Sequence, residues 1–256
     1  MLTFPFGKIN LGLHIIGKRT DGFHNIETVF YPLKNTTDVL EIVPSEQFDF
    51  QCYGLSIEGE KEDNLVVKAY NLMQKTYQLP LVSISLLKKI PTGAGLGGGS
   101  SDAAATLVLL NELFYLHLDN ETLRTHAATL GSDCPFFIEG MPAFACGRGE
   151  NLTPCPCPEL ENKHIVVVNP DIHISTAEAY AHCQPAQPKM DLQEIMQKPI
   201  SSWKSLLKND FEKTLFPLYP RLAEIKEHLY QQGALYASLS GSGSALFGIF
   251  DGNCCF

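Results

Sequence analysis

Short alternations of hydrophobic and polar residues run through the first 50 residues, a pattern typical of β-strands. They are clearest over residues 3–6 and 38–43, and a turn-forming triplet at residues 20–22 separates two such runs. After Asp63 or Asn64, either of which can cap a helix, the spacing of the hydrophobic residues changes from that of a strand to that of a helix. One face of that helix would carry Leu65, Val66, Ala69, Leu72 and Met73.

The middle of the chain switches between strand and helix patterns. A strand is predicted over Val82–Leu86, and a strongly apolar helix runs from about Ser101 to Phe114. A further helix is predicted from about Asn120 to Leu130. Gly131 would end it with a left-handed cap.

Residues 153–158 are rich in proline and cysteine, and we interpret them as a boundary between two lobes, residues 1–152 and 153–256. Residues 186–198 are polar, which favours a loop or a weak helix. The other predicted elements are a strand at Ile165–Val168, helices at Ser175–His182 and at Pro220–Gln232 (stopped by Gly233), and strands at Tyr236–Leu239 and Ala245–Phe250 around a glycine-serine turn. The predicted fold class is therefore α+β.

Composition places the chain among globular proteins. It has 256 residues, of which 45% are hydrophobic and 18% charged, enough for one large or two small domains. No stretch approaches the ~20 apolar residues of a membrane span. Residues 1–16 are interrupted by proline, glycine and lysine, so they lack the apolar core of a signal peptide. We expect a cytoplasmic protein that has no membrane partner.

The formal net charge of −9 argues against a nucleic-acid-binding protein, because such proteins use clustered lysine and arginine. The same charge allows binding of a small anion at one site. Backbone amides at a helix N-terminus supply local positive potential without changing the net charge.

The eight cysteines form no C-x-x-C pair, and the eight histidines form no H-x-x-x-H pair. The close cysteine pairs are Cys155 with Cys157 and Cys254 with Cys255. Because a zinc site needs a second pair at a set spacing, we predict reduced structural thiols and no metal site built from these residues.

A glycine-rich loop between the predicted strand and the apolar helix is the most informative segment. Five of the seven residues from Gly93 to Gly99 are glycine, which lets backbone amides approach an anion closely. The two serines that follow add hydroxyl donors or a cation ligand where the helix begins, so a di- or triphosphate fits here. The predicted nucleotide loop consists of Pro91, Thr92, Gly93, Ala94, Gly95, Leu96, Gly97, Gly98, Gly99, Ser100 and Ser101.

Other loop types fit this segment less well. No lysine follows the glycines, so the Walker pattern is absent. Gly93, Gly95 and Gly98 satisfy the dinucleotide pattern G-x-G-x-x-G, with Asp119 about twenty residues on, although a glycine-rich run matches it easily. A flexible linker is disfavoured because the apolar helix fixes the far end of the loop.

Three separated motifs together resemble the GHMP kinase superfamily, named for galactose, homoserine, mevalonate and phosphomevalonate kinases. They are Gly7–Leu11 (G-K-I-N-L), the glycine loop, and Leu239–Ala245 (L-S-G-S-G-S-A). The resemblance implies a two-lobed fold with an N-terminal ribosomal-S5-like lobe and a C-terminal ferredoxin-like lobe. It also implies ATP as the phosphoryl donor, together with Mg2+.

Further segments narrow the resemblance to one branch of the superfamily. They are Gly22–His24, Glu62–Leu65, the extra glycine of the loop, and Leu130–Phe137 (L-G-S-D-C-P-F-F). That branch phosphorylates the 2-hydroxyl of a small alcohol carrying a cytidine diphosphate, in non-mevalonate isoprenoid synthesis. Gly7 stands where the family usually has alanine, and Phe23 where tyrosine is common.

The resemblance also assigns roles to individual residues. Asp133 would accept the proton of the substrate hydroxyl, and Lys8 would keep Asp133 ionised and stabilise the transferring phosphoryl group. Asn64 would approach the adenine, with Lys88 near the same nucleotide. Asp133 alone would read as a turn residue and Lys8 as a solvated strand lysine; their joint occurrence in matching motifs favours catalysis.

The resemblance places Asn10, Phe23, His24 and Tyr180 at the alcohol substrate, with the cytosine between Phe23 and Tyr180. Taken singly, each aromatic is more often a core residue. Two alternatives remain open at this point: a GHMP kinase for mevalonate, homoserine or a sugar, and a catalytically silent nucleotide-binding protein.

Overall fold

The computed structural model describes residues 1–57, 59–181 and 183–252, which form two compact units. The first unit contains Met1–Lys8, Pro32–Thr92 and Gly97–Met141. The second contains Ile9–Tyr31, Gly93–Leu96 and the described chain from Pro142 onward. The lobes 1–152 and 153–256 stay a prediction for the domain organisation.

Runs of strands and runs of helices follow one another along the chain. The strands are β1 (Leu2–Thr3), β2 (Phe6–Lys18), β3 (His24–Thr37), β4 (Val39–Pro44), β5 (Asp49–Gly54), β6 (Val82–Lys88), β7 (Ala143–Gly147), β8 (Asn151–Pro154), β9 (Lys163–Val168), β10 (Tyr236–Leu239) and β11 (Leu246–Asp251). The helices are α1 (Leu65–Tyr77), α2 (Gly98–Leu113), α3 (Asn120–Leu130), α4 (Phe136–Glu139), α5 (Thr176–Ala181), α6 (Leu192–Met196), α7 (Trp203–Leu206), α8 (Glu212–Leu218) and α9 (Pro220–Gln231). Short 3-10 turns lie at Lys61–Asp63, Pro158–Leu160 and Ile200–Ser202.

The first unit is built on a sheet of order β1-β4-β6-β5, in which β4 runs antiparallel and β5 parallel to β6. The register pairs Ile84 with both Ile42 and Phe50, so alternate apolar side chains share one face. They form one core with residues of α1 and α2, among them Val66, Tyr70, Met73, Leu107 and Leu110. Strand β6 and helix α2 are thereby both anchored, and the glycine loop connects them.

The second unit contains the antiparallel sheet β10-β11-β9. Helix α9 contributes Leu222, Ile225 and Leu229 to a core shared with residues of this sheet. Residues 26–30 of β3 pair with β7, which pairs with β8. The β10–β11 turn carries the C-terminal glycine-serine motif.

Most predicted elements are confirmed, with two corrections. Helix α2 begins at Gly98 rather than near Ser101. A Cβ atom on Gly98 would lie 2.8 Å from Lys88 Nζ, so close packing explains why glycine opens this helix. The left-handed cap predicted at Gly131 is wrong: its φ of 177° is extended, and its amide donates to the carbonyl of Ala127.

The weak helix expected within residues 186–198 is present as α6. The described cysteines are free thiols, whereas Cys254, Cys255 and the predicted helix end at His182 lie outside the described residues. Among the described helices, none has the length and apolarity needed to span a bilayer.

Candidate active site

The first unit brings Lys8 and Asp133 together. Lys8 lies in β2 and is 3% exposed, and its Nζ is 3.3 Å from Oδ2 of Asp133. The aspartate side chain is 31% exposed, so one end of this ion pair is buried and the other is open to solvent. The pair therefore places a buried positive charge beside a carboxylate that solvent can reach.

A tight turn between α3 and α4 holds Asp133 in place. The amide of Cys134 donates to the carbonyl of Gly131, and the amide of Phe136 donates to the carbonyl of Asp133 itself. Pro135 fixes its own φ between them. Burial raises the pKa of the Cys134 thiol to about 12, so this neighbour stays a neutral thiol at physiological pH.

The N-terminus of α2 offers free backbone amides. Gly97 is the N-cap; it has a φ of 70° and no side chain to cap the helix. The first amide that bonds within the helix is that of Ser101, which donates to the carbonyl of Gly97. The amides of residues 98–100 therefore have no partner within the helix. The carbon chain of Lys8 passes close to the same start, since a Cβ atom on Gly97 would lie 3.2 Å from Lys8 Cε.

The first half of the glycine loop packs on the C-terminal glycine motif in the second unit. Gly95 has a φ of 77°, and a Cβ atom there would lie 2.0 Å from the carbonyl oxygen of Ser240. The hydroxyl of Ser240 donates to the carbonyl of Gly95 at 2.9 Å. The amide of Ala245 donates to the carbonyl of Ala94 at 3.1 Å. Backbone contact therefore explains the glycine at position 95.

Asn64 and Asn10 are each held by hydrogen bonds in their own unit. Asn64 caps α1, because its Oδ1 accepts the amide of Val66 at 2.9 Å. Asn10 is buried in the second unit and donates to Thr28 Oγ1 at 3.0 Å. Its Oδ1 lies 3.2 Å from the place of a Cβ atom on Gly241, so Asn10 also supports the C-terminal glycine motif.

The other predicted substrate residues, Phe23, His24 and Tyr180, lie in the second unit, and among these three the described ring contacts join His24 with Tyr180. The rings of His24 and Tyr180 are stacked, with centroids 4.7 Å apart and planes at 18°. Burial, with the nearby Lys18, lowers the pKa of His24, so the imidazole is neutral at physiological pH. Phe23 is 52% exposed, and the guanidinium of Arg148 lies 5.1 Å from its ring centre.

Comparison with known proteins decides the family. The sequence profile of the GHMP kinases N terminal domain matches residues 64–141, and that of the GHMP kinases C terminal domain matches residues 191–253. The chain belongs to the GHMP kinase family. It is a phosphotransferase that acts on an alcohol group, with ATP as the phosphoryl donor, and its two-lobed α+β class is confirmed.

Relatives within the GHMP kinases are similar over nearly the whole chain. A protein of Bacteroides fragilis (strain YCH46) named 4-diphosphocytidyl-2-C-methyl-D-erythritol kinase is 52% identical over 98% of this chain and 92% of its own length. A protein of Parabacteroides distasonis with the same name is 47% identical over 98% and 92%.

Solved structures agree with this assignment. A crystal structure of 4-(cytidine 5'-diphospho)-2C-methyl-D-erythritol kinase matches with a TM-score of 0.83 and 34% identity, over 97% of this chain and 90% of that one. The mevalonate kinase of L. major, at 20% identity and a TM-score of 0.67, covering 97% and 86%, shares the fold.

Two polar residues of this GHMP kinase, Asn209 and Arg148, were not predicted from the sequence. Asn209 is buried in the second unit, and its Nδ2 donates to the carbonyls of Leu239 and Gly241, both at 2.9 Å. It thus holds both sides of Ser240. For Arg148, the one local hint is its place between two glycines, which indicates a turn.

Lys88 lies beneath the start of helix α2 in the first unit, where a Cβ atom on Gly98 would lie 2.8 Å from its Nζ. Its side chain is fully buried, where it forms ion pairs with Asp38 and Asp102. Its ammonium is thus bound by two carboxyl groups of the protein, which points to a structural role near the loop.

Proposed function

We propose that this GHMP kinase transfers the γ-phosphoryl group of ATP to the 2-hydroxyl of 4-diphosphocytidyl-2-C-methyl-D-erythritol. The ion pair between Lys8 and Asp133 carries the reaction type, because phosphoryl transfer needs a positioned base and fixed positive charge more than covalent chemistry. The substrate rests on relatives of this name that are 45–52% identical over nearly the full chain.

Asp133 acts as the base in this proposal. The ammonium of Lys8 lies 3.3 Å from the carboxylate of Asp133, and the partial exposure of this carboxylate leaves an oxygen within reach of a substrate hydroxyl. As the hydroxyl oxygen attacks phosphorus, its proton passes to Asp133. Lys8 remains charged and stabilises the negative charge of the transferring group.

The glycine loop, Pro91–Ser101, binds the phosphates of ATP. The free amides of residues 98–100 and the dipole of the 16-residue helix α2 favour an anion at this point. The φ values of Gly93, Gly95 and Gly97, between 68° and 77°, keep the loop in a shape that other residues adopt only with strain. Asn64, whose Oδ1 caps α1, still has its amide group to offer to adenine.

Mg2+ fits the donor groups at the start of α2. The described residues contain no group of three or more histidine, cysteine, aspartate or glutamate side chains that could form an all-protein site. Hydroxyl groups of Ser100 and Ser101 suit a cation whose other ligands are phosphate oxygens and water. When bound, the ion supplies neutralisation of phosphate charge.

Asn10, Phe23, His24 and Tyr180 recognise the cytidine end of the alcohol substrate. The flat faces of Phe23 and Tyr180 suit a pyrimidine base, and each stacking contact is worth roughly 1–3 kcal/mol. The neutral imidazole of His24 can both donate and accept a hydrogen bond at the base. Asn10 adds a fixed carboxamide.

Cytoplasmic location of the protein stays a prediction.

The test is release of ADP by the purified protein with ATP and Mg2+, measured with and without 4-diphosphocytidyl-2-C-methyl-D-erythritol. The proposal predicts release that depends on this alcohol and a product phosphorylated on its 2-hydroxyl. Release of ADP only with mevalonate, homoserine or a sugar would show that the protein is a GHMP kinase for a different alcohol. Binding of ATP without turnover on any alcohol would indicate a silent nucleotide-binding protein.

A further inference from the structure

A buried ion cluster lies beneath the glycine loop in the first unit. Lys88, the last residue of β6, is 1% exposed, and its Nζ donates to Oδ2 of Asp102 at 2.7 Å and to Oδ2 of Asp38. Asp38 directly precedes β4 and Asp102 lies in the second turn of α2; both are buried as well. One ammonium therefore binds two carboxyl groups from different elements.

This cluster holds the chain on both sides of the loop. The second oxygen of Asp38 accepts the amides of Lys89 and Ile90, the two residues before Pro91. On the far side, Lys88 binds Asp102 and packs against Gly98, where a Cβ atom would lie 2.8 Å from its Nζ. The residues that enter the loop and the first turns of the helix that leaves it thus share one buried cation.

A contribution to folding stability does not by itself explain this ion cluster. Two carboxyl groups share one ammonium away from water, and Oδ1 of Asp102 has no hydrogen-bond partner in the described part of the chain. Burial raises the pKa of Asp102 to about 7, with Asp38 acting in the same direction and Lys88 against it. Well-packed apolar side chains would often be equally stabilising in such a place. Fixed geometry is what a directional ion pair adds.

We propose that Lys88 is a positioning residue for nucleotide binding. By joining Asp38 to Asp102, Lys88 sets the distance between the end of β6 and the start of α2. The amides of residues 98–100 are thereby held in position for the phosphates of ATP before ATP binds. The proposal rests on the assignment of this loop to ATP and is independent of which alcohol is phosphorylated.

The experiment compares the double variant Lys88→Met/Asp102→Asn with Lys89→Met. The double variant removes the cation and one partner carboxylate together, and leaves Asp38 bound to its two amides. Lys89→Met makes the same lysine change one residue along, on an exposed side chain outside the cluster. Affinity for ADP with Mg2+ is measured by calorimetry, and KM for ATP, KM for the alcohol and kcat are measured by turnover.

The double variant is expected to weaken ADP binding and raise KM for ATP at least about tenfold, as a lost preorganised site would. Its KM for the alcohol and its circular dichroism should match those of the wild type, and Lys89→Met should bind ADP normally. ADP affinity within about twofold of wild type in the folded double variant, or an equal loss in Lys89→Met, would overturn the proposal.

A second variant covers a failure of the double variant to fold. Lys88→Arg keeps the charge of the cluster, but the larger guanidinium must displace the first turn of α2 at Gly98. Weakened ADP binding with an unchanged KM for the alcohol is expected, and unchanged ADP binding would overturn the proposal. Because ADP binding needs no acceptor, these results stand apart from the identity of the alcohol.

Discussion

The carbonyl oxygen of Ser240 lies 2.0 Å from the point that a Cβ atom on Gly95 would occupy. The nucleotide loop and the C-terminal glycine motif therefore meet backbone to backbone, and Ser240 also donates its hydroxyl to the carbonyl of Gly95. Two motifs that are 145 residues apart in sequence form one structural piece.

Gly95→Ala should abolish measurable turnover or reduce it more than about tenfold, because the added methyl group has no room beside Ser240. The matched control is Gly233→Ala, where φ is also positive, at 92°, but nothing lies within 4 Å. That control should cost only about 1 kcal/mol of stability and keep its turnover. Turnover assays with thermal unfolding check both, and equal behaviour of the two variants would contradict the prediction.

Asn209→Asp should destabilise the protein by about 2–4 kcal/mol and reduce turnover. It removes two donors from the carbonyls of Leu239 and Gly241 and places a carboxylate against them. Urea unfolding measures the loss. Asn35→Asp, on an exposed residue, is the control and should lie within about 0.5 kcal/mol of the wild type. A similar small change at Asn209 would show that it does not hold this turn.

Asp102→Asn should change the pH dependence of stability. Burial raises the pKa of Asp102 from an ordinary value of 3.8 to about 7, so the folded protein holds a proton here that the unfolded chain has lost. The contribution of Asp102 to stability is therefore fully present below about pH 4 and is lost as pH rises through 7. Relative to Asp102→Asn, the wild type should lose about 1–4 kcal/mol between pH 5 and pH 8.

Urea unfolding of both proteins at about pH 5 and about pH 8 measures this change. Asp119→Asn is the control, because the hydrogen bonds of Thr122 hold the pKa of Asp119 below its ordinary value. Its difference from the wild type should be the same at both pH values. A wild type that gains stability relative to Asp102→Asn as pH rises would contradict the assigned direction.

Tyr180→Leu should raise KM for the cytidine-bearing substrate by about 5- to 100-fold, since one stacking contact is worth roughly 1–3 kcal/mol. KM for ATP should stay unchanged. Tyr180→Phe keeps the ring that stacks on His24 and packs edge-on against Phe211, so its KM for this substrate should be lower than that of Tyr180→Leu. If Tyr180→Leu leaves KM for this substrate unchanged, the ring belongs to the core and not to the substrate site.

Local patterns predicted the elements whose periodicity is strong and whose ends carry clear signals. Helix α1 begins after the cap Asn64, and helix α3 spans the predicted Asn120–Leu130. Both could be predicted because the residues of each apolar face and its cap lie close together in the sequence. Lys8 and Asp133 were found by motif resemblance, and the structure brings them within 3.3 Å. Their catalytic roles stay a prediction.

Contacts across long sequence separations had no such signal. Asp38 and Lys88 are 50 residues apart, and Asn209 lies 30 residues from Leu239; each residue alone resembles an ordinary surface polar group. Short elements such as α4, β7 and β8 have four or five residues, too few to establish a period. Tertiary packing, not local propensity, forms them.

Turnover by Asp133→Asn tests the central claim most directly. The variant keeps the size of the side chain but cannot accept the proton of the substrate hydroxyl, so kcat for phosphorylation of 4-diphosphocytidyl-2-C-methyl-D-erythritol should fall about 10²- to 10⁴-fold. ADP affinity should match the wild type, and the exposed control Asp63→Asn should retain full activity. A kcat within about threefold of wild type would contradict the role of Asp133 as the base.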